Sequence, residues 1–265
     1  MRTSIKTVKR IVVKVGTSSL ILPNGRMNLK AIDQLSFTLS DLATQEYEII
    51  LVSSGAIGAG MVHLNLPYKP QSIAEQQALA AIGQLELMNL YNQRFKVYHQ
   101  KSAQVLLTRD VIDFPESRRN VYNTFHELLK MGIIPIVNEN DSVAVDELNH
   151  QTVFGDNDQL SAIVANLVQA DLLIILSDID GFYSDDPRTN KKAKIFHHIP
   201  EITADLFECS GDKGSELGTG GMITKLKAAE LILNNNGKVV LANGKKPSIL
   251  FDILDGKEIG TLFGK

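Results

Sequence analysis

The stretch Glu48-Ile49-Ile50-Leu51-Val52-Ser53-Ser54-Gly55-Ala56-Ile57-Gly58-Ala59-Gly60 decides the reading of the fold. Ile49 to Val52 is an unbroken apolar run, the pattern of a strand buried on both faces. It stops at serines and glycines, small residues suited to a turn into a helix whose first amides stay free. The same passage recurs along the chain. Short apolar runs bounded by Gly, Ser or Asn occupy 10–15, 48–52, 104–107, 133–137, 172–176 and 238–241. Between them, 28–44, 73–95, 116–129, 159–167 and 222–233 carry apolar residues at helical spacing. In the first of these, Leu29, Ile32, Leu35, Leu39 and Leu42 share one face. Strand and helix alternate, which predicts an α/β chain with a mainly parallel central sheet covered by helices on both faces.

Composition agrees with one folded unit. The chain has 265 residues, 44% hydrophobic and 22% charged, which argues against disorder. No Pro- or Ser-rich linker and no repeat interrupts it, so 1–265 reads as a single domain. A net charge of −3 supplies no basic excess for nucleic acid or an anionic membrane. Trp is absent and aromatics are 6%, which gives no stacking platform for single-stranded nucleic acid. Cys209 is the lone cysteine, so no intrachain disulfide can form. Apolar runs such as 172–176 are too short to span a bilayer. Lys14 interrupts the apolar run after the basic N-terminus, so a signal peptide's long apolar region is missing. The expectation is a soluble, cytoplasmic protein.

The polar motifs sit where strands end. Lys14 breaks an apolar strand just before Gly16-Thr17-Ser18-Ser19, and a charge there needs a partner. Ser54 and Gly55 stand at the second strand–helix junction, placed for ligand contact. Gly58 and Gly60 are equally explained by tight helix–sheet packing. Neither GxGxxG nor GxxxxGK[ST] occurs, which leaves Rossmann and P-loop labels unsupported. The connection from Asn138 to Asp156 is long, aperiodic and acidic, with Glu139, Asp141, Asp146 and Glu147, and such loops are usually functional. A surface hairpin around 142–145 is the plainer alternative. Asn157 and Asp158 open a helix, where they serve as caps or as site groups. Ser177 and Asp178 follow a strand, where Asp178 serves a nucleotide or Mg²⁺ or stands in an ordinary turn. His197-His198 lacks metal-ligand spacing and receives no role. Thr219-Gly220-Gly221-Met222-Ile223-Thr224-Lys225 opens a helix with consecutive glycines and a lysine in its first turns, a turn suited to an anion. Several cations and free amides gathered at one sheet edge suit phosphoryl transfer.

With these residues in view the chain resembles the bacterial glutamate 5-kinases of the amino-acid kinase superfamily. The resemblance runs through KVGTSS (14–19), SSGAIGAG (53–60), PIVNENDSVA (135–144), GDNDQLSA (155–162), SDIDGFYSDDPR (177–188) and TGGMITK (219–225). It implies a three-layer αβα sandwich and the ATP- and Mg²⁺-dependent conversion of glutamate to L-glutamyl 5-phosphate, which opens proline biosynthesis. It also implies that Lys14 and Lys225 neutralise the phosphoryl group in flight and that Asp158 orients them. Ser54, Gly55, Asp141 and Asn157, with Asn138 as a weaker candidate, become glutamate contacts. Lys14, Ser177, Asp178 and Thr219, Gly220, Gly221, Met222, Ile223, Thr224 and Lys225 become the ATP site, while the metal ligands stay unassigned. Many members carry a C-terminal PUA domain, and this chain reads as a short form without one. Proline as feedback inhibitor, a homo-oligomer (dimer or tetramer) built on helix 73–95, and glutamate-5-semialdehyde dehydrogenase as a partner are further implications.

The chemistry of the acceptor is consistent with this. A carboxylate with an ordinary pKa near 4.3 is already ionised at neutral pH and needs no general base. Bringing it to another anion is the difficulty, and two lysines, amides and Mg²⁺ would offset that repulsion. Two other readings stay open. One is a superfamily kinase for aspartate or N-acetylglutamate, the other a non-catalytic amino-acid or nucleotide sensor. A free amino acid offers an ammonium that Asp141 can pair with, whereas an N-acetylated one does not.

Overall fold

The computed structural model describes residues 2–108, 113–143, 157–209 and 221–265. Its strands are β1 (Arg10–Val15), β2 (Glu48–Ser53), β3 (Lys101–Leu107), β4 (Ile133–Glu139), β5 (Leu172–Ser177), β6 (Phe182–Tyr183), β7 (Ile195–Phe196), β8 (His198–Ile199), β9 (Val239–Asn243) and β10 (Thr261–Phe263). Its helices are α1 (Thr17–Leu20), α2 (Leu29–Thr44), α3 (Ala56–His63), α4 (Ile73–Val97), α5 (Pro115–Lys130), α6 (Asn157–Leu167), α7 (Ala204–Cys209), α8 (Met222–Leu233) and α9 (Ile249–Leu254).

The main sheet runs in the order β3-β4-β2-β1-β5-β9-β10-β8. All described neighbours in it are parallel except β9 and β10. The six parallel strands from β3 to β9 therefore end along one edge. β1 lies between β2 and β5, so the chain order reverses around it and the crevice for a ligand opens there.

Strand periodicity divides the core into two layers. Ile11, Val13 and Val15 of β1 pack with α2 (Ile32, Leu35, Leu39), α4 (Leu87, Tyr91, Phe95) and α9 (Leu250, Ile253). Val12 packs on the opposite face, with α5 (Phe125), α6 (Leu160, Val164) and α8 (Leu226, Ala229). Lys14 is two residues beyond Val12, so it points to the α6 and α8 layer. Asn138 shares the face of Ile134 and Ile136, which belong to the α4 layer.

Helix starts carry the expected chemistry. The Asn28 side chain accepts from the Ala31 amide at 3.2 Å, and Ser72 from that of Glu75 at 3.2 Å. Pro115 opens α5, where its missing N–H costs nothing. α3 and α4 lie unusually close. A Cβ on Gly60 would sit 2.2 Å from the Leu79 carbonyl oxygen, and one on Gly83 1.8 Å from that of Ala56. Only glycine permits this approach.

The layered, mainly parallel architecture follows the sequence reading. Three details differ. β3 begins three residues earlier than the apolar run 104–107 suggests, because its first residues are partly solvated edge positions. Asn138 and Glu139 extend β4 instead of opening the long connection, and Leu106 and Leu107 of β3 pair with them. β8 and β10, two and three residues long, carry too little pattern to read; they are held by strand pairing and by burial of Ile199, Leu262 and Phe263 in the core. Residues 144–156 of the acidic connection, with Asp146, Glu147 and Asp156, lie outside the described residues, as do Thr219 and Gly220.

Candidate active site

Lys14 and Lys225 meet at one carboxylate. Lys14 Nζ is 2.7 Å from Asp158 Oδ1, and Lys225 Nζ is 3.0 Å from Asp158 Oδ2. Lys14 and Lys225 are 5% and 8% exposed and Asp158 is fully buried, so all three charges have left water. That removal is costly unless the charges are paired. Each comes from a different element: β1, the first turn of α6 and the first turn of α8. The N-terminus of α6 favours an acid, which suits Asp158. A lysine in the first turn of α8 opposes the helix dipole, and Asp158 offsets that opposition. Thr224 Oγ1 lies 3.1 Å from Asp158 Oδ2 and 2.8 Å from the Gly221 carbonyl oxygen, with one proton to share. The Ser161 hydroxyl donates to the Asp158 carbonyl at 2.6 Å. Asp158 thus holds the two ammonium groups together, one on each carboxylate oxygen, and the three groups together carry one positive charge.

Beside this knot lies a network of neutral groups. Asn157 Nδ2 donates to Ser54 Oγ at 2.8 Å and to Asn138 Oδ1 at 3.2 Å. Asn138 Nδ2 donates in turn to Gln84 Oε1 on α4 at 2.9 Å. Asn138 is 1% exposed with both polar ends engaged, so its place is behind Asn157 and not at the surface of the site. Asn157 and Asp158 are neighbours about 100° apart on a helix of 3.6 residues per turn. One therefore turns to β2 and β4, the other to β1 and α8. Under the network, Ser53 Oγ and the Tyr91 hydroxyl are 2.9 Å apart, and burial pushes the Tyr91 phenol far up.

The strand ends complete the edge. Gly55 caps α3 with φ of 104°, a left-handed conformation that favours glycine and leaves the first amides of α3 open. The Ser54 amide donates to the Val15 carbonyl at 3.1 Å, which ties the ends of β2 and β1 together. A Cβ on Gly16 would sit 3.5 Å from Lys14 Nζ, in ordinary contact with the ammonium. Ser177 is buried at the end of β5 with its hydroxyl 3.2 Å from Asp178 Oδ1, and Asp178 is exposed. Gly221, Met222 and Ile223 form the start of α8. Asp141 follows β4, half-buried; desolvation pushes its carboxyl up to about 6, against the pull of Lys69.

Among the described residues, no group of three His, Cys, Asp or Glu side chains could hold a metal ion. Mg²⁺ ordinarily keeps several waters and takes phosphate oxygens of a nucleotide as ligands, with one or two carboxylates from the protein. Among the described residues no helix is long and apolar enough to cross a membrane.

Sequence reading missed Gln84 and Tyr91. The signal for Gln84 was present: Leu79, Ala80, Gly83, Leu87, Tyr91 and Phe95 form the buried stripe of α4, and Gln84 interrupts it.

The fold and the lysine–aspartate knot define a class. Residues 9–243 match the amino acid kinase family, and the chain belongs to that family. Solved structures with the same fold include UMP kinase from Ureaplasma parvum, with a TM-score of 0.65 and 16% identity over 97% of this chain and 99% of that one. Isopentenyl phosphate kinase from T. acidophilum gives a TM-score of 0.62 and 18% identity over 96% of this chain and all of that one. Sequence relatives are more specific. The chain is 67% identical to glutamate 5-kinase of Enterococcus faecalis, over its whole length and 98% of the relative. It is 59% identical to glutamate 5-kinase of Listeria monocytogenes, over 99% of this chain and 95% of that one.

Proposed function

We infer that the protein transfers the terminal phosphoryl group of ATP to the γ-carboxylate of L-glutamate, giving L-glutamyl 5-phosphate, the opening step of proline biosynthesis in the cytoplasm. The observation that carries this reading is the pairing of Lys14 and Lys225 on Asp158 at the sheet edge, in a chain 67% identical to a glutamate 5-kinase. The nucleophile arrives ionised, so the chain needs no general base. Its work is to bring two anions together and to stabilise charge on the group in flight.

Lys14 and Lys225 meet that charge from two sides. Asp158 prevents the ammonium groups from spreading apart when the site is empty. The start of α8, with Gly221, Met222, Ile223 and Thr224, follows the nucleotide phosphates, and Ser177 and Asp178 flank the nucleotide. Thr219 and Gly220 belong to the same segment by sequence. Mg²⁺ supplies further neutralisation of the phosphates. On the acceptor side, Ser54 accepts from Asn157 and keeps its own proton to donate to a substrate carboxylate. Gly55 leaves the amides of α3 open to the same anion. Asn157 Oδ1 is buried with no partner among the described residues, an acceptor suited to the substrate ammonium. Asp141 pairs with that ammonium in its ionised form. Proline shares the α-carboxylate and a ring ammonium but has no γ-carboxylate, so it competes with glutamate at these groups.

The test is a phosphorylation assay across glutamate, aspartate and N-acetylglutamate. Glutamate should be the preferred acceptor by a wide margin. Preference for another acceptor, or ATP binding with no turnover of any, would overturn the reading.

A further inference from the structure

A buried glutamine in an apolar helix stripe needs a reason, because an amide away from water costs free energy unless its bonds are made. Gln84 is 8% exposed, and the close approach of α3 and α4 at Gly60 and Gly83 brings its part of α4 against the start of α3. Its carbonyl accepts from Asn138 Nδ2, but its own Nε2 has no partner among the described residues. At the far end of the same network, Asn157 Oδ1 is also without one. The network therefore ends in one unmet donor and one unmet acceptor.

Carboxamides joined in a row are directional. Each has an acceptor end and a donor end, and turning one over obliges its neighbour to turn as well. Here Gln84 Oε1 holds Asn138 Nδ2, which leaves Asn138 Oδ1 to accept from Asn157 Nδ2. Asn157 spends its amide on Asn138 and Ser54, so its carbonyl oxygen remains for the ligand. In the reversed row the ligand would meet the Asn157 amide instead. The pocket would then repel an ammonium and favour a carbonyl oxygen.

We propose that Gln84 is a positioning residue that sets the polarity of the Gln84–Asn138–Asn157 row and so makes the acceptor pocket select a free α-ammonium over an acylated one. Gln84 acts through Asn138 and Asn157 and takes no part in phosphoryl transfer. The inference rests on glutamate being the acceptor.

Gln84→Met keeps the length and volume but removes the carbonyl, while Gln84→Glu keeps an acceptor facing Asn138. Steady-state rates with glutamate and with N-acetylglutamate, the KM for ATP and the melting temperature are measured for both and for the unaltered protein. Gln84→Met should raise the KM for glutamate roughly tenfold, the loss of one well-placed polar contact. Its kcat and KM for ATP should stay within about twofold, and its preference for glutamate over N-acetylglutamate should shrink. Gln84→Glu should recover most of the glutamate KM. Should Gln84→Met not fold, Gln84→Asn takes its place, because it withdraws the carbonyl from Asn138 by one methylene. An unchanged glutamate KM, a KM for ATP that rises in step, or a Glu variant as impaired as the Met variant would each overturn the proposal. If the unaltered protein does not phosphorylate glutamate at all, the functional reading fails, and that result is distinct from any of these.

Discussion

The two halves of the site stand on adjacent residues of α6 and are built from opposite materials. Asp158 gathers charges: two buried lysines on one buried carboxylate. Asn157 gathers neutral amides and hydroxyls from Ser54, Asn138 and, through it, Gln84. In the proposed reaction the charged half faces the phosphoryl group, where charge changes during transfer. In the same proposal the neutral half faces the acceptor, where shape and bond direction must be the same before and after transfer. Damage to the first should therefore appear in kcat, and damage to the second in KM for the acceptor.

The largest effect is expected at the lysines. Lys14→Ala and Lys225→Ala should each lower kcat by about 10² to 10³, the scale seen when a donor to developing charge is removed. The KM for glutamate should move far less. Arginine should restore little at either position, because a planar fork replaces a compact ammonium in a buried space. Full turnover in the alanine variants would erase the distinction between the two halves.

Asp158→Asn comes next, and here burial changes the expectation. Asparagine caps a helix about as well as aspartate, so a residue that only capped would tolerate the change. Asp158 is fully buried between two buried ammonium groups, and losing its charge leaves them to repel. The loss should approach the roughly 3–5 kcal/mol of a broken buried pair. Calorimetry should show a lower melting temperature, partly restored by ATP, whose phosphates supply the missing negative charge.

On the neutral side, Asp141 gives a pH signature. Its carboxyl titrates near 6 in the folded protein, above the ordinary value of 3.8. If Asp141 pairs with the substrate ammonium as proposed, only its ionised form does so, and the KM for glutamate should rise as pH falls below about 6. Its contribution to stability has the opposite sign. The folded state binds the proton more tightly than the unfolded one, so burial of Asp141 costs stability as pH rises through that window. The cost is fully present above it. Asp141→Asn should then weaken glutamate at pH 7.5 while leaving the melting temperature equal or higher. A lower melting temperature there would show that the carboxylate is supported by contacts beyond those described.

The smallest effect separates packing from recognition. Gly83→Ala puts a methyl 1.8 Å from the Ala56 carbonyl oxygen, so α4 must shift. Overpacking of this kind typically costs about 1–3 kcal/mol. Because Gln84 is the next residue, the KM for glutamate should rise modestly as well, with the KM for ATP unchanged. A pure stability loss would mean that the amide row tolerates movement of α4.

Much of this was legible before the fold was known. Lys14 was conspicuous as a charge in an apolar strand, and Lys225 as a lysine just after paired glycines. Asp158 was ambiguous, since an aspartate at a helix start is explained by capping alone. Gln84 carried only the weak mark of a polar residue in an apolar stripe. Tyr91 carried none, because a buried tyrosine looks like ordinary core until its hydroxyl partner, Ser53, is found from another element.

The sequence by itself determined the alternation of strand and helix, the edge at which the strands end and the kinds of residue placed there. Those follow from local periodicity and from the few residues that tolerate a turn. Tertiary structure alone decided which groups touch. Lys14 and Asp158 are well over a hundred positions apart, and the two meet Lys225 only because α6 packs against both β1 and α8. The direction of the Gln84–Asn138–Asn157 row was likewise invisible, because a carboxamide has no preferred sense until its neighbours fix one.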